Sequence, residues 1–410
     1  VTAITGSKAT LSSQVQTLQL LPTTAARHTT VLPRFEGEGP ALRLVNESAP
    51  RFEMLKTLGA GGMGEVELVH DRDIGRKVAI KHLLSGPGST LDAGTVARFV
   101  DEVRIIGQLE HPNIVPVHDV GLDAQGRFFF VMKYVDGETL ESIITKLAAG
   151  NPEYHRKYTF EARVDIFLGL LRALAYAHSN GIIHRDLKPA NVMVGRFGEV
   201  MLMDWGIAKQ LQQAERPVSP AAVAEDQALA TMPRERIFTT RHGTLIGTPA
   251  YMSPEQASGA TDQIDYRSDL YSACVLFHEL LTLKHYLADK TTLVDLLAAV
   301  SKESPPVSSR AFNQNPHQPN PPAELTYVVE RGLKKNRAER FQSVSELIAE
   351  LEAIREGKLK VQCAGTFTKR MTREFGGMVD RHPYGGFAMM MTGAALVLFG
   401  LVETCWLVMH

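Results

Sequence analysis

His184-Arg185-Asp186-Leu187-Lys188-Pro189-Ala190-Asn191 decides the reading of this chain. Within eight residues it sets an imidazole, a guanidinium, a carboxylate, an ammonium and a carboxamide, with a proline to stiffen the backbone. Fixed charges on a rigid loop can stabilise charge that develops during a reaction. A bare His-Arg-Asp has a bland reading, a solvated turn with one buried histidine. The full string and its flanks do not fit that reading.

Upstream, Val164, Phe167, Leu170, Leu171 and Leu174 recur at helical spacing between Phe160 and His178, and Asn180-Gly181 supplies a stop. That helix delivers the chain to the loop. Downstream, Val192-Met193-Val194 is followed by Met201-Leu202-Met203-Asp204-Trp205-Gly206. Asp204 is a carboxylate at the end of an apolar strand, a hard oxygen donor suited to Mg²⁺.

Toward the N-terminus, order begins at Arg51-Phe52, where Phe52, Met54 and Leu58 alternate with polar residues as in a strand. Gly59-Ala60-Gly61-Gly62-Met63-Gly64-Glu65-Val66 then reads G-x-G-x-x-G-x-V. Glycines let a backbone lie close over phosphates with its N–H groups turned toward them. Gly-rich hairpins are common, so the distance to Val78-Ala79-Ile80-Lys81 carries the weight. Lys81 lies in an apolar strand, where a charge needs a partner. Val96, Phe99, Val103, Ile106 and Leu109 predict a helix over 92–109, with Asp101 and Glu102 as the acids in reach. Pro112 ends it, and residues 128–135 form a further strand.

In this order and spacing the motifs resemble the protein kinase superfamily over residues 51–356. The resemblance implies the roles that follow. Asp186 accepts or orients the proton of an attacking hydroxyl, Lys188 sets a positive charge near the γ-phosphate, and Asn191 and Asp204 hold the metal. Leu58 to Gly64 and Val66 cover the nucleotide, Lys81 faces its α- and β-phosphates and pairs with Glu102. Met132 is the gatekeeper, Lys133, Tyr134 and Val135 form the hinge, and Met193 floors the adenine pocket beneath Val66 and Ala79. His184, Arg185, Trp205, Gly206, Glu255, Asp269 and Arg340 are structural. Trp205 stands where the family has Phe, Asp269 holds the catalytic loop's backbone, and Glu255 pairs with Arg340. For Asp269 a second reading stands beside this one, an acid favoured by the dipole at a helix start.

The activation segment runs from Asp204 to Ser253-Pro254-Glu255, with an Ala-, Pro- and charge-rich insert at 212–235. Thr239, Thr240 and Thr244 are the expected autophosphorylation sites, because a phosphate there would order the loop against arginine. Thr248 resembles the threonine that touches Asp186 and Lys188 in Ser/Thr-specific members, so protein Ser/Thr hydroxyls are the expected substrates. ATP with Mg²⁺, or Mn²⁺ in its place, is the expected cofactor set. Loss of Lys81, Asp186, Asn191 or Asp204 would mark a catalytically silent docking module, and all four are present. A small-molecule phosphotransferase of related fold would lack the S-P-E segment.

Composition agrees with a folded chain of this size. There are 410 residues with a net charge of −1, which gives no basic signature for nucleic acid. Cys274, Cys363 and Cys405 form no C-x-x-C pair, so neither a zinc site nor a disulfide framework is expected. The sequence opens at Val1 without Met, so its true N-terminus is expected to lie upstream, and no basic segment followed by an apolar core stands at the start given, so no signal peptide is expected in it.

The organisation expected is a disordered tail at 1–45, a kinase domain at 46–356, a basic linker at 357–386 and a transmembrane helix at 387–409. The fold class is α+β and bilobal. An antiparallel N-lobe with helix C (51–135) faces a mainly helical C-lobe (136–356), with the nucleotide between them. At about 1.5 Å per residue the apolar stretch 387–409 spans roughly 34 Å, enough for a bilayer core. Its basic N-terminal flank places the kinase on the cytoplasmic side of the cell membrane. The other reading of this stretch is a terminal helix packed on the domain, and Glu403 is the residue that favours it. The anchor and the G-T-P-A-Y-M-S-P-E string look most like the membrane-bound, eukaryotic-like Ser/Thr kinases of bacteria. A homodimer that phosphorylates itself in trans is a family expectation.

Overall fold

Val78, Ala79 and Ile80 form an unbroken buried run, as in a strand covered on both faces. They lie in β5 (Arg76–Leu83), the middle strand of a five-stranded antiparallel sheet. The structure is a computed structural model that describes residues 34–36, 43–45, 50–61, 64–83, 100–101, 103–123, 127–205, 209–210, 248–304, 315–358 and 368–372. The chain divides into two compact units: among the described residues the first holds those up to Gln108 and Pro116–Tyr134, the second Leu109–Val115 and those from Val135 on, so one break falls inside the predicted hinge.

The first unit holds the sheet, in the order β3 (Phe52–Gly61), β4 (Gly64–Asp71), β5, β7 (Phe128–Lys133), β6 (Val117–Leu122). One face is a core of Val69, Val78, Ile80, Phe129 and Val131, with Phe52 packed against it. The opposite face is set by register, because directly paired residues of antiparallel strands point the same way. Val66 pairs with Lys81, Leu68 with Ala79, Ala79 with Met132 and Lys81 with Phe130. Residues 100, 101 and 103–107 are helical, and the rest of the predicted 92–109 helix N-terminal to them, with Glu102, lies outside the described residues.

The alternation at Phe52, Met54 and Leu58 does mark a strand, but Met54 and Leu58 are not core residues: they are 55% and 41% exposed. Register shifts at Met54/Lys56 and Thr57/Gly59 turn the side chains out of step with a simple period of two.

The second unit is built on two long helices, α3 (Phe160–Ser179) and α5 (Tyr266–Thr282). Helix α3 begins at the Thr159 cap and ends at Asn180, followed by Gly181 at φ +72°. The rings of Phe167 and Phe277 stack with centroids 4.1 Å apart. Gly169 brings α3 close to the strand β11 (Val200–Leu202), where a Cβ would meet the Val200 side chain at 2.9 Å. Strand β11 pairs with β10 (Val192–Gly195), which pairs with β8 (Gly137–Thr139). Helix α1 (Leu140–Ala148) follows β8, and helices α6 (Leu293–Lys302), α7 (Ala323–Gly332) and α8 (Val344–Arg355) complete the unit.

Three elements differ from the sequence expectations. The polar excursion after Gly150 contains a short helix, α2 (Pro152–Lys157), because Asn151 caps it and Pro152 suits its first turn. Helix α6 was not anticipated. Within the stretch predicted to be a disordered tail, β1 (Arg34–Glu36) and β2 (Arg43–Val45) form an antiparallel pair, so disorder does not hold for those residues. Among the described residues no helix is long and apolar enough to cross a membrane. The predicted span at 387–409 and the insert at 212–235 lie outside them.

Arg340 and Glu255 tie the lower part of this unit together. Arg340 is 0% exposed, and its two terminal nitrogens donate to the two Glu255 oxygens, each at 2.9 Å. Its other donors go to the carbonyls of Lys334, Arg267 and Lys335, so all five N–H groups have partners. Ser268 Oγ donates to Glu255 at 2.6 Å. Burial pushes the Glu255 carboxyl up, but Arg340 and Ser268 outweigh it and hold it below its usual 4.5. Glu255→Ala leaves a buried guanidinium without its counter-charge. The expected loss is about 3–5 kcal/mol, read as a lower thermal unfolding midpoint. A carboxyl whose folded pKa is depressed stabilises above its unfolded value and stops doing so as pH falls through the folded one. The wild-type midpoint should therefore fall below pH 4.5, and Glu255→Gln should flatten that part of the profile.

Candidate active site

The chemistry-bearing loop follows the short strand β9 (Ile182–Ile183) and is fixed from below by one carboxylate. Asp269, on α5, is 1% exposed. Its Oδ2 accepts from the His184 N–H at 2.8 Å and its Oδ1 from the Arg185 N–H at 2.9 Å. His178, in the last turn of α3, lies 2.8 Å from Oδ2 through Nε2. Burial raises the Asp269 carboxyl, yet His178 and the loop N–H groups win and bring it below the ordinary carboxylate range. Asp265, four residues earlier, is the actual N-cap of α5. Asp269 is thus a backbone anchor, with its place in the first helical turn an added benefit.

His184 is fully buried. Its Nδ1 accepts from the Asp186 N–H at 3.3 Å, so Nε2 carries the proton and donates to the Met203 carbonyl at 3.2 Å. Burial holds this imidazole below its ordinary pKa, against the pull of Asp269 and Asp186. Its ring packs on Trp205, centroids 4.6 Å apart. Trp205 is 1% exposed, so the larger indole is accommodated where the family has Phe.

Above this base stand the three reactive candidates. Lys188 Nζ lies 2.7 Å from Asp186 Oδ2. Asn191 Nδ2 donates to the Asp186 carbonyl at 2.8 Å and to Oδ2 at 3.3 Å. The Asn191 carbonyl in turn accepts from Met203 N at 3.0 Å, which ties the loop to the strand leading to Asp204. Asp204 and Arg185 are both non-glycine residues at positive φ, +60° and +69°. Such conformations persist only where the surroundings enforce them.

The donor set suits a hard cation. Asn191 spends its amide nitrogen on Asp186, so its oxygen points the other way, and Asp204 offers a carboxylate. Two protein oxygens are what Mg²⁺ commonly takes when phosphates and water complete its shell. Among the described residues no three or more His, Cys, Asp or Glu side chains gather into an all-protein metal cage.

In the first unit, Val66, Ala79, Lys81 and Met132 share the sheet face defined above. Lys81 is 8% exposed and its ammonium lies 5.7 Å from the Phe130 ring centroid. Leu58, Gly59, Ala60, Gly61 and Gly64 lie in the β3–β4 hairpin. Lys133 and Tyr134 end the first unit, and the chain returns at Val135 to the second, where half-buried Met193 sits in β10. The backbone of Thr248 opens the 3₁₀ turn Thr248–Tyr251. Gly62, Met63, Glu102, Gly206, Thr239, Thr240 and Thr244 lie outside the described residues. Sequence reasoning missed His178 and Gln256. His178 had a weak signal as the last-turn cation of a helix, and Gln256 a clearer one as the fourth residue of a Ser-x-x-Gln capping box.

The sequence model of the protein kinase domain matches residues 52–350. The chain is 35% identical over 322 residues to serine/threonine-protein kinase PknD of Protochlamydia amoebophila, covering 76% of this chain and 30% of that protein. It is 35% identical over 311 residues to a probable serine/threonine-protein kinase of Streptomyces coelicolor, covering 75% and 40%. A probable PknB kinase of Bifidobacterium longum is 32% identical over 322 residues, 77% and 41%. The chain thus spans about a third of the length of the curated relatives it matches.

Asp269→Asn offers the loop one acceptor oxygen in place of two and leaves a buried N–H unpaired. The expected cost is about 1–3 kcal/mol, read as a lower urea midpoint with an unchanged slope. An unchanged midpoint would show that the loop does not depend on the carboxylate.

Proposed function

The chain belongs to the protein kinase family, and from that premise we propose that it is an ATP-dependent serine/threonine protein kinase of the eukaryotic-like bacterial type. The observation that carries this reading is the Asp186 carboxylate. Lys188 and Asn191 hold it, on a loop whose backbone is anchored by Asp269.

Asp186 orients the substrate hydroxyl and takes its proton as the oxygen attacks the γ-phosphorus. The bond to the β-bridging oxygen breaks, and ADP leaves with that electron pair. Lys188 sets its charge beside the transferring group, and Lys81 faces the α- and β-phosphates. Asn191 and Asp204 are the residues that would hold Mg²⁺ (or Mn²⁺), which supplies charge neutralisation at the phosphates. The β3–β4 hairpin glycines and Val66 cover the nucleotide. Ala79, Met132 and Met193 contact adenine, with the backbone of Lys133 to Val135 at its edge. Glu102 would be the partner of Lys81.

Lys188 and Thr248 together favour Ser/Thr over tyrosine. Autophosphorylation at Thr239, Thr240 or Thr244, in trans within a homodimer, would switch the enzyme on. The 387–409 stretch would anchor it in the cell membrane with the kinase domain on the cytoplasmic side. The competing reading, a silent docking module, has no support from the residues, because the four that it should lack are in place.

The test is phosphate incorporation by the purified chain with γ-labelled ATP and Mg²⁺, on itself and on a generic Ser/Thr protein. Asp186→Asn is run beside it, and labelled residues are mapped. The wild type should transfer phosphate and the variant should be slower by about 10²-fold or more. Label should map to Thr239, Thr240 or Thr244. ATP binding with no transfer by the wild type would sink the enzyme reading in favour of the docking module.

A further inference from the structure

The peptide between Arg185 and Asp186 is held at both ends. Its N–H, from Asp186, donates to His184 Nδ1. Its carbonyl oxygen, from Arg185, accepts from Gln256 Nε2 at 2.9 Å. Arg185 itself is in the left-handed region, at φ +69°, a conformation that neighbours must enforce for a residue other than glycine. Asp269 takes its N–H, and Gln256 takes its C=O.

Gln256 belongs to α4 (Pro254–Ala257), a short helix with a complete capping box. Its Oε1 accepts from Ser253 N at 3.0 Å and from Ser253 Oγ at 3.1 Å. Two donors on one end of the amide settle its orientation, so Nε2 must be the atom facing the Arg185 carbonyl. A capping box asks only for an acceptor at this position, which glutamate meets equally well. The bridge asks for an acceptor and a donor in one side chain, and among side chains of this length only the carboxamide has both. The adjacent residue Glu255, locked to Arg340, keeps α4 from drifting.

We propose that Gln256 is a positioning residue for phosphoryl transfer. It joins the end of the segment Thr248–Ser253 to the carbonyl that directly precedes Asp186, so that the carboxylate keeps its aim only while that segment is seated. The proposal rests on the kinase reading for its consequence in catalysis, while the bridge itself rests on the hydrogen bonds alone.

Gln256→Glu keeps the shape and the acceptor for Ser253 but turns a lone pair on the Arg185 carbonyl. Gln256→Met loses both ends. The full chain is assayed with Mg²⁺ and ATP on a generic Ser/Thr protein, and amide exchange of the 182–190 segment is followed without nucleotide. Loss of one hydrogen bond at the aiming carbonyl is expected to lower kcat about ten-fold in both variants. KM for ATP should stay at its wild-type value in both, the thermal midpoint should hold in Gln256→Glu, and exchange at Asp186 and Leu187 should speed up. Unchanged kcat and unchanged exchange would overturn the inference. So would a fall in kcat and thermal midpoint confined to Gln256→Met, with Gln256→Glu at wild-type values in both, since that describes a cap and nothing more. If the wild type transfers no phosphate yet exchange accelerates in the variants, the bridge stands and the kinase reading fails.

Discussion

A single carboxylate buried under a loop organises the second unit. Removing an ion such as Asp269 from water costs several kcal/mol. Two backbone N–H groups and the His178 imidazole offset that cost with hydrogen bonds to a charged acceptor, the stronger kind at about 1.5–3 kcal/mol each. The three donors come from two places, the last turn of α3 and the loop that follows it, and the acceptor comes from α5. The two longest helices of the unit therefore meet at the atom that sets the loop's backbone. Both are packed along Phe167 and Phe277, so the anchor has little freedom to shift.

The rest of the site is layered on that anchor. Burial holds the His184 imidazole below its ordinary pKa, its two hydrogen bonds run to the Asp186 N–H in the loop and to the Met203 carbonyl beyond β11, and its ring rests on Trp205. The strained Arg185 and the aim of Asp186 follow from what grips the intervening peptide. The Glu255–Arg340 pair acts one step further out. It satisfies every donor of a fully buried guanidinium and fixes the short helix from which Gln256 reaches back. Removing either partner would expose an unpaired charge to the core, which explains why so polar a pair can sit in so dry a place.

Much of this was legible in sequence. The eight-residue loop, Asp204, V-A-I-K and the Glu255 and Arg340 positions are side chains whose chemistry is readable one by one, and their order along the chain constrains them jointly. Helix α3 was legible because its apolar residues keep a helical period and its stop signal is a glycine. What escaped was structure held by local polar contacts. Helix α2 buries no residue. It exists through the Asn151 cap, and Tyr154 and Lys146 are both drawn to Glu138. No hydrophobic pattern reports such a helix. Strand β3 was found, but its face was not, because two bulges break the period that sequence reasoning assumes. Gln256 was passed over because a capping residue looks purely local until the carbonyl at its other end is seen.

The most direct test of this account is amide hydrogen exchange at His184 and Arg185 in the wild-type protein. If the Asp269 carboxylate is the fixed base of the site, these two amides should exchange only through unfolding of the whole unit. Their protection should then match its stability and fall with denaturant at the same slope. Exchange through small local openings, at rates typical of a surface loop and insensitive to denaturant, would contradict it.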